Sequence, residues 1–327
     1  MILAGDIGGT KTLLALFRHG ANGLETVREQ SYASTSHAQF DSLMHAFVGT
    51  DTVTAACFGV AGPVRDGVCR ATNLPWVLEE TTLSGGLGGA PVRLLNDLQA
   101  AALGMLRLPA GQYVELNPLA STQARSGTTA VIAAGTGLGE AILYWDGQRY
   151  HALPTEGGHC DFAPNTPLED ALLVWLRSQL GGHVSYERIL SGSGFSLLYR
   201  FLRDSGHAAE SAGTAARMAA APDANAVVTE LGLAGEDALC VEALRLFARI
   251  YGAEAGNLAL KCLAGGGVWV GGGIAPKILP ALREGAFLEG FLDKGRFRAL
   301  LESLPVRVAL EPRAPLIGAA WQALEVA

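Results

Sequence analysis

Apolar positions along this chain fall into two patterns. Short runs dense in Val, Ile, Leu and Ala predict buried β-strands, and longer segments with an apolar residue every three or four positions predict helices. Four of the strand-like runs come as two pairs, each pair around a small-residue turn. Ile2–Asp6 and Thr12–Phe17 flank Ile7-Gly-Gly-Thr10, and Thr129–Ala134 and Ala141–Trp145 flank Gly135-Thr-Gly137. Each pair reads as strand, tight turn and strand, a hairpin by its short connection. Their recurrence about 125 residues apart predicts two related domains. Further strands are predicted over Val53–Val60, Pro91–Leu95, Gly267–Val270 and Val306–Leu310. Helices are predicted over Leu98–Leu106, Leu168–Leu180, Glu187–Leu202, Glu236–Lys261 and Pro315–Leu324, with a short one at Ala216–Ala221. One more follows Gly271–Gly273, with Pro276 near its start, where proline is tolerated. Strands alternating with helices predict an α/β fold.

Composition narrows the picture. The 327 residues suit two domains, and 49% hydrophobic against 17% charged residues is too apolar for disorder. Acidic residues exceed basic ones, 31 to 24, for a net charge of -7, which argues against a nucleic-acid partner. The start, MILAGDIGGT, lacks the basic residues and long apolar run of a leader. The longest stretch without Asp, Glu, Lys or Arg, Cys262–Pro276, is 15 residues with six glycines, too short and too rich in exposed backbone to span a membrane. Five widely spaced cysteines without a CxxC pair argue against a disulfide framework or a structural zinc site, and for a cytoplasmic location.

The two turns and Gly271–Gly273 suggest chemistry. Glycine lets backbone N–H groups approach oxygens without a side chain in the way, and threonine adds a hydroxyl. Such loops suit a polyphosphate, and Asp6, at the end of the first strand, is placed to orient hydrated Mg2+ beside it. Taken singly, each turn is also an ordinary hairpin. There is no GxGxxG after the first strand and no GxxxxGK[ST] anywhere, so Rossmann and P-loop sites are excluded.

Here a family resemblance enters. Gly5-Asp-Ile-Gly-Gly-Thr10 resembles the first phosphate motif of the actin/hexokinase-like ATPases, and Gly135-Thr-Gly137 the second. Leu95-Asn-Asp97, Pro154-Thr-Glu-Gly-Gly-His159 with Asp161-Phe-Ala-Pro164, and Glu187-Arg-Ile-Leu-Ser-Gly192 are similar to motifs of the bacterial ATP-dependent glucokinase family. So are Gly256-Asn-Leu-Ala-Leu260, Gly271–Pro276 and Asp293-Lys-Gly-Arg-Phe297, in collinear order over nearly the whole chain. Lys11 and Glu156-Gly-Gly-His159 also resemble the related ROK sugar kinases. Those carry a CxCGxxGC zinc cluster, whereas here the cysteine after Cys160 is Cys240. The lack of room before Asp6 for a helix-turn-helix sets aside their DNA-binding branch.

The resemblance implies a two-domain, ribonuclease H-like fold with a deep interdomain cleft, residues 1–108 plus 306–327 forming the smaller domain and 109–305 the larger. It implies transfer of phosphate from ATP to the 6-hydroxyl of glucose, with Mg2+, without zinc, in a homodimer. ATP would lie on Gly5, Asp6, Ile7, Gly8, Gly9, Thr10, Gly135, Thr136, Gly137, Gly271, Gly272 and Gly273, with Asp6 holding Mg2+ through water. Asp97 would be the base and a glucose ligand, beside Asn96, Glu156, His159 and Glu187. Read from residue type alone, Asn96 or Asp97 is equally a helix N-cap, and Glu187 a solvated residue of a helix's first turn. His159 beside Cys160 makes a poor zinc site, since two ligands do not close one. Another hexose or aminosugar, or a non-catalytic sugar sensor, are the alternatives. Retention of Asp97 and both phosphate loops argues against the sensor.

Overall fold

The computed structural model describes residues 1–21, 23–71, 74–120 and 126–327. The chain divides into two compact units, Met1–Gln112 with Ala152–Pro154 and Glu311–Ala327, and Tyr113–His151 with Thr155–Leu310.

The first unit is built on strands β1 (Ile2–Ile7), β2 (Lys11–Gly20), β3 (Gly23–Ala33), β4 (Ala55–Val60) and β8 (Val92–Asn96), in the order β3-β2-β1-β4-β8. A small three-stranded sheet, β5 (Val64–Arg65), β6 (Val68–Arg70) and β7 (Val77–Glu79), lies between β4 and β8 in sequence. The expected hairpin is there: β1 and β2 pair antiparallel, Ile7 opposite Thr12. β4 and β8 then run parallel to β1. Every residue of β4 is buried, the reason its sequence Ala-Ala-Cys-Phe-Gly-Val is continuously apolar rather than alternating. Helices α1 (Phe40–Val48), α2 (Glu80–Gly86), α3 (Asp97–Met105) and α13 (Ala314–Val326) complete the unit. Successive strand residues feed different cores: Leu3, Ile7, Leu14 and Phe58 pack with Phe40 and Trp76, while Ile2, Ala4, Ala15 and Cys57 pack with Leu316, Ala319 and Ala323 of α13. α3 and α13 cross where neither has a side chain. A Cβ on Gly104 would overlap the carbonyl of Ala314, and one on Gly318 that of Ala100.

The second unit repeats the plan. Its strands are β9 (Tyr113–Glu115), β10 (Thr129–Ala134), β11 (Leu138–Trp145), β12 (Tyr150–Pro154), β13 (Gly267–Gly271) and β14 (Val306–Ala309), ordered β12-β11-β10-β13-β14-β9. β10 pairs antiparallel with β11 and parallel with β13, and β13 parallel with β14. The first five positions thus repeat the order of the other sheet. The strand at Val306, expected with the smaller domain, belongs here: Val268 pairs with Val306, and Arg307 with Glu115 of β9. Its side chains Val306 and Val308 complete the larger core.

Helices of this unit are α4 (Pro167–Leu180), α5 (Tyr186–Ile189), α6 (Gly194–Asp204), α7 (Ala212–Ala220), α8 (Ala224–Ala234), α9 (Ala238–Lys261), α10 (Leu279–Arg283), α11 (Ala286–Leu292) and α12 (Arg298–Glu302). The 24-residue α9 is the spine of the core, capped by Asp237, whose carboxylate accepts from Cys240 N at 3.0 Å. The single helix expected over Glu187–Leu202 is broken into α5 and α6. Gly192 N donates to Gly135 O at 2.9 Å instead of continuing a helix, which draws the intervening loop onto the second turn. The helix expected from Pro276 starts later, at Leu279, with Pro280 in its first turn; Pro276 lies in the preceding turns. Among the described residues no helix is long and apolar enough to cross a membrane.

Candidate functional site

In the first unit the strand ends converge on carboxylates. β1 ends at Asp6 and Ile7, and β8 runs directly into α3, whose first residue is Asp97. Asp6 pairs with Gly59, and Gly59 with Leu95, so the three parallel strands finish level. These are the carboxyl ends of parallel strands, where open α/β sheets bind ligands. Gly59 brings α3 down onto the sheet: a Cβ there would stand 2.8 Å from that of Ala100. Asn96 is the N-cap, its Oδ1 accepting from Leu98 N at 3.0 Å and its Nδ2 donating to Gly62 O at 3.2 Å. Gln99 closes the capping box through Oε1, which accepts from Asn96 N at 3.1 Å, and its Nε2 donates to Ala152 O at 2.7 Å. Asp97 Oδ1 also accepts from Leu98 N, at 2.8 Å. The helix N-terminus therefore favours a negative charge on Asp97. Burial, with the charge of Asp97 added and that of Lys11 partly offsetting, pushes the Asp6 carboxyl up to about 6.

The first turn is braced by hydroxyls. Gly8 N donates to Lys11 O at 3.0 Å, Ser34 Oγ donates to Gly8 O at 2.6 Å, and the buried Thr12 and Ser34 hydroxyls are bonded at 2.9 Å. Thr10 and Lys11 are exposed at the tip. Ile7 is 1% exposed and its side chain belongs to the core. Gly5 has a packing reason of its own, since a Cβ would meet Phe58 and Leu14 at 2.7 and 2.8 Å. A cavity of about 350 Å3 opens beside this turn, lined by Asp6, Gly8, Lys11, Leu13, Glu29, Gln30, Ser31, Pro312 and Arg313.

In the second unit the turn Gly135-Thr-Gly137 is closed by Gly135 N donating to Gly137 O at 2.8 Å. Leu138 N donates to Glu187 Oε2 at 3.1 Å, and a Cβ on Gly137 would overlap that oxygen. Glu187 thus lies directly against the turn. Gly272, at φ +80, packs on the Ala134 carbonyl where any Cβ would overlap it, while Gly273 and Gly135 have open space where a side chain would be. The third glycine loop is therefore next to the second. Tyr251 of α9 ties them together: its hydroxyl accepts from Ala134 N at 3.1 Å and lies 3.4 Å from the carbonyls of Ile132 and Gly271. His159 ends a 3-10 turn over Gly157–His159 for which Glu156 is the N-cap, and its Nδ1 stands 3.8 Å from Glu187 Oε1. Glu156 and His159 are exposed.

The structure therefore brings together Asp6 with Asp97 in one unit, and the second and third glycine loops with Glu187 and His159 in the other. Ser34, Gln99 and Tyr251 were not anticipated. Gln99 was legible, three positions after Asn96 in a capping-box spacing. Tyr251 was not, because a tyrosine in an apolar helix carries no mark of what its hydroxyl reaches. Among the described residues no three His, Cys, Asp or Glu side chains gather as a metal site. Asp6 nevertheless suits Mg2+, as a half-buried hard-oxygen donor beside a second carboxylate whose repulsion a cation would relieve.

Comparison with known proteins places the chain in a family. The family model for glucokinase matches residues 3–326. Glucokinases of Synechocystis sp. and Nostoc punctiforme are 42% and 40% identical, over 97% and 98% of this chain and 96% and 98% of theirs. The structure of a glucokinase from an Antarctic psychrotroph matches with a TM-score of 0.87 at 30% identity, covering 99% of this chain and 98% of that one. A ROK family glucokinase from Streptomyces griseus shares the fold, with a TM-score of 0.64 at 23% identity over 99% of both chains. The fold is that of the hexokinase-like, actin-type ATPases, the chain belongs to the glucokinase family, and its activity is the phosphorylation of glucose.

Proposed function

We propose that Asp97 is the general base of this kinase, accepting the proton of the glucose 6-hydroxyl as that oxygen bonds to the γ-phosphorus of ATP and the bond from that phosphorus to the β,γ-bridging oxygen breaks, releasing ADP. The observation that carries the reading is the pairing of two carboxylates, Asp6 and Asp97, at level strand ends, near enough that the charge of Asp97 raises the Asp6 carboxyl. One has an evident use with a cation and the other with a proton. Asn96 and Gln99 hold Asp97 at the start of α3, so its carboxylate is oriented before substrate arrives. Asn96, Glu156, His159 and Glu187 take the remaining sugar hydroxyls, since each hydroxyl both donates and accepts and so suits accepting carboxylates together with an amide and an imidazole.

ATP would be received by Gly5–Thr10, Gly135–Gly137 and Gly271–Gly273, with backbone N–H groups and the Thr10 and Thr136 hydroxyls on its phosphates. Mg2+, held by Asp6 through water, would neutralise charge on the transferring phosphoryl group. Lys11 partly compensates Asp6 and keeps its carboxyl available. No zinc is called for, and the working unit is a homodimer in the cytoplasm. The deciding experiment is a coupled ADP assay over a panel of hexoses and aminosugars with the wild type and Asp97→Asn. Steady ADP release with glucose that disappears in the variant supports the base assignment, and an unchanged rate overturns it. Elemental analysis and sedimentation test the zinc-free and dimer statements directly.

A further inference from the structure

Two carboxyl side chains in the larger unit are sealed in its core with no part in the roles above. Glu140, on β11, is 1% exposed, and Glu254, on α9, 0%. Glu140 pairs across the sheet with Ile132, whose carbonyl lies 3.4 Å from the Tyr251 hydroxyl, and Glu254 follows Tyr251 about one turn along α9. The two buried carboxyls are thereby brought close enough for the charge of Glu254 to act on Glu140, and two ionised carboxylates in such a place repel strongly. Oε1 of Glu140 is buried with no hydrogen-bond partner among the described residues. Glu254 is well served: Asn257 Nδ2 donates to its Oε2 at 2.8 Å and Lys261 Nζ to its Oε1 at 3.2 Å. The charge of the pair therefore belongs on Glu254. Burial first, then the charge of Glu254, pushes the Glu140 carboxyl up to about 8, with Lys261 pulling the other way. The titratable groups facing the pair are Lys261 and Tyr251 of α9 and Tyr186 of α5. Lys294 faces Glu254, Cys160 faces Lys261, and Glu169 faces Tyr186.

The location makes the pair more than a core detail. A Cβ on Gly157 would overlap Oε2 of Glu140, and one on Gly158 the carbonyl of Leu138, so the 3-10 turn carrying His159 rests directly on β11. Thr155 Oγ1 donates to Glu140 O at 2.8 Å and accepts from Gly157 N at 3.1 Å, tying the segment with Glu156 to the same residue. On the other side, Asn257 Nδ2 also donates to Tyr186 Oη at 3.1 Å, and Tyr186 is the neighbour of Glu187. The two carboxyls thus underlie both segments that carry the sugar-facing groups of this unit.

We propose that Glu140 is a positioning residue for glucose, held protonated and donating to Glu254, so that one shared proton keeps the Glu156–His159 segment and the Tyr186–Glu187 turn in register. The inference rests on the assignment of Glu156, His159 and Glu187 to the sugar. Loss of that proton places two negative charges in buried contact under Gly157, where there is no space to yield except by moving the turn. Glucose affinity, more than turnover, should then fall as pH rises.

The test is the glucose KM and kcat from pH about 6 to about 10, either side of the Glu140 value near 8, in the wild type, Glu140→Gln, Glu140→Ala and Cys160→Ser. In the wild type KM should rise ~10-fold or more through the transition, with a smaller change in kcat. Glu140→Gln, whose amide still donates to Glu254, should keep the neutral-pH KM and lose the rise. Glu140→Ala should have the high KM at every pH, and Cys160→Ser should keep the wild-type profile. Infrared spectra give a second readout: a protonated-carboxyl stretch that titrates near the same pH and is missing in Glu140→Gln. If Glu140→Gln does not fold, Gly157→Ala, which displaces the turn without changing charge, should raise KM at all pH, and the wild-type infrared band still decides. A flat wild-type KM profile, the same rise in Glu140→Gln, or no such band would overturn the proposal. Failure of the underlying assignment looks different: Glu156→Ala and Glu187→Ala would leave KM unchanged while the infrared band persists.

Discussion

The two glycine turns occupy equivalent places in two sheets of the same strand order, yet they are braced by different chemistry. Behind Gly8 stand two buried hydroxyls, Thr12 and Ser34. Behind Gly137 stand a carboxylate, Glu187, and the phenol of Tyr251. In the first unit the acidic groups lie beside the turn at the strand ends, so the hydroxyl brace and the carboxylates are separate parts. In the second, a single carboxylate touches the turn with one oxygen and approaches His159 with the other. A repeated backbone device therefore need not repeat its division of labour. The first turn can be altered without touching Glu187 or His159, and the second cannot.

The largest effect is expected at Asp97. Asp97→Asn should lower kcat by ~10^2–10^4, the usual scale for a positioned base, with a much smaller change in glucose KM because the amide still hydrogen-bonds. A variant that turns over at near the wild-type rate would show that the first unit's carboxylates are structural.

Asp6 should come next. Asp6→Asn is expected to raise the KM for MgATP by ~10–100-fold while leaving glucose binding, measured by equilibrium titration, nearly unchanged. The pH dependence has a definite sign. The Asp6 carboxyl is raised to about 6, so it takes up a proton as pH falls through that value. MgATP affinity should weaken below pH about 6 and be flat above it. The same acid limb in Asp6→Asn would assign it to another group.

Glu187 sharpens the contrast between the units. Because it braces Gly137 and faces His159, Glu187→Ala should raise the KM of both glucose and ATP, each by ~10-fold or more. Glu156→Ala should raise that of glucose alone. If Glu187→Ala spares ATP, the bond to Leu138 N contributes nothing to the nucleotide site.

The smallest effects are expected at the braces. Ser34→Ala and Tyr251→Phe each leave backbone groups short of a partner, at ~1–3 kcal/mol of stability by thermal or denaturant unfolding. Ser34→Ala should raise the ATP KM a few-fold without moving the glucose KM. Tyr251→Phe should act on both of the second unit's glycine loops, since its hydroxyl reaches Ala134 N and the Gly271 carbonyl together.

What was legible from the sequence was local. Both hairpins, the long helix ending at Lys261 and the helix from Pro315 follow from runs of adjacent residues whose period or turn chemistry is complete within a few positions. Whether Asn96 or Asp97 caps α3 was open by residue type, because either carboxyl or amide oxygen can accept from the first turn. It was decided by Gly62, whose carbonyl holds the Asn96 amide from a distant loop. The same holds for the strand at Val306, whose residues suit any parallel sheet and whose partners, Val268 and Glu115's strand, are remote in sequence. The break between α5 and α6 needs the carbonyl of Gly135, and the carboxyl pair of Glu140 and Glu254 needs a strand and a helix brought into contact. Periodicity and turn residues encode which local conformation is cheapest. Which backbone groups find each other across the chain, and which carboxyl must keep its proton, depends on burial and neighbours that exist only once the units have closed around their cores.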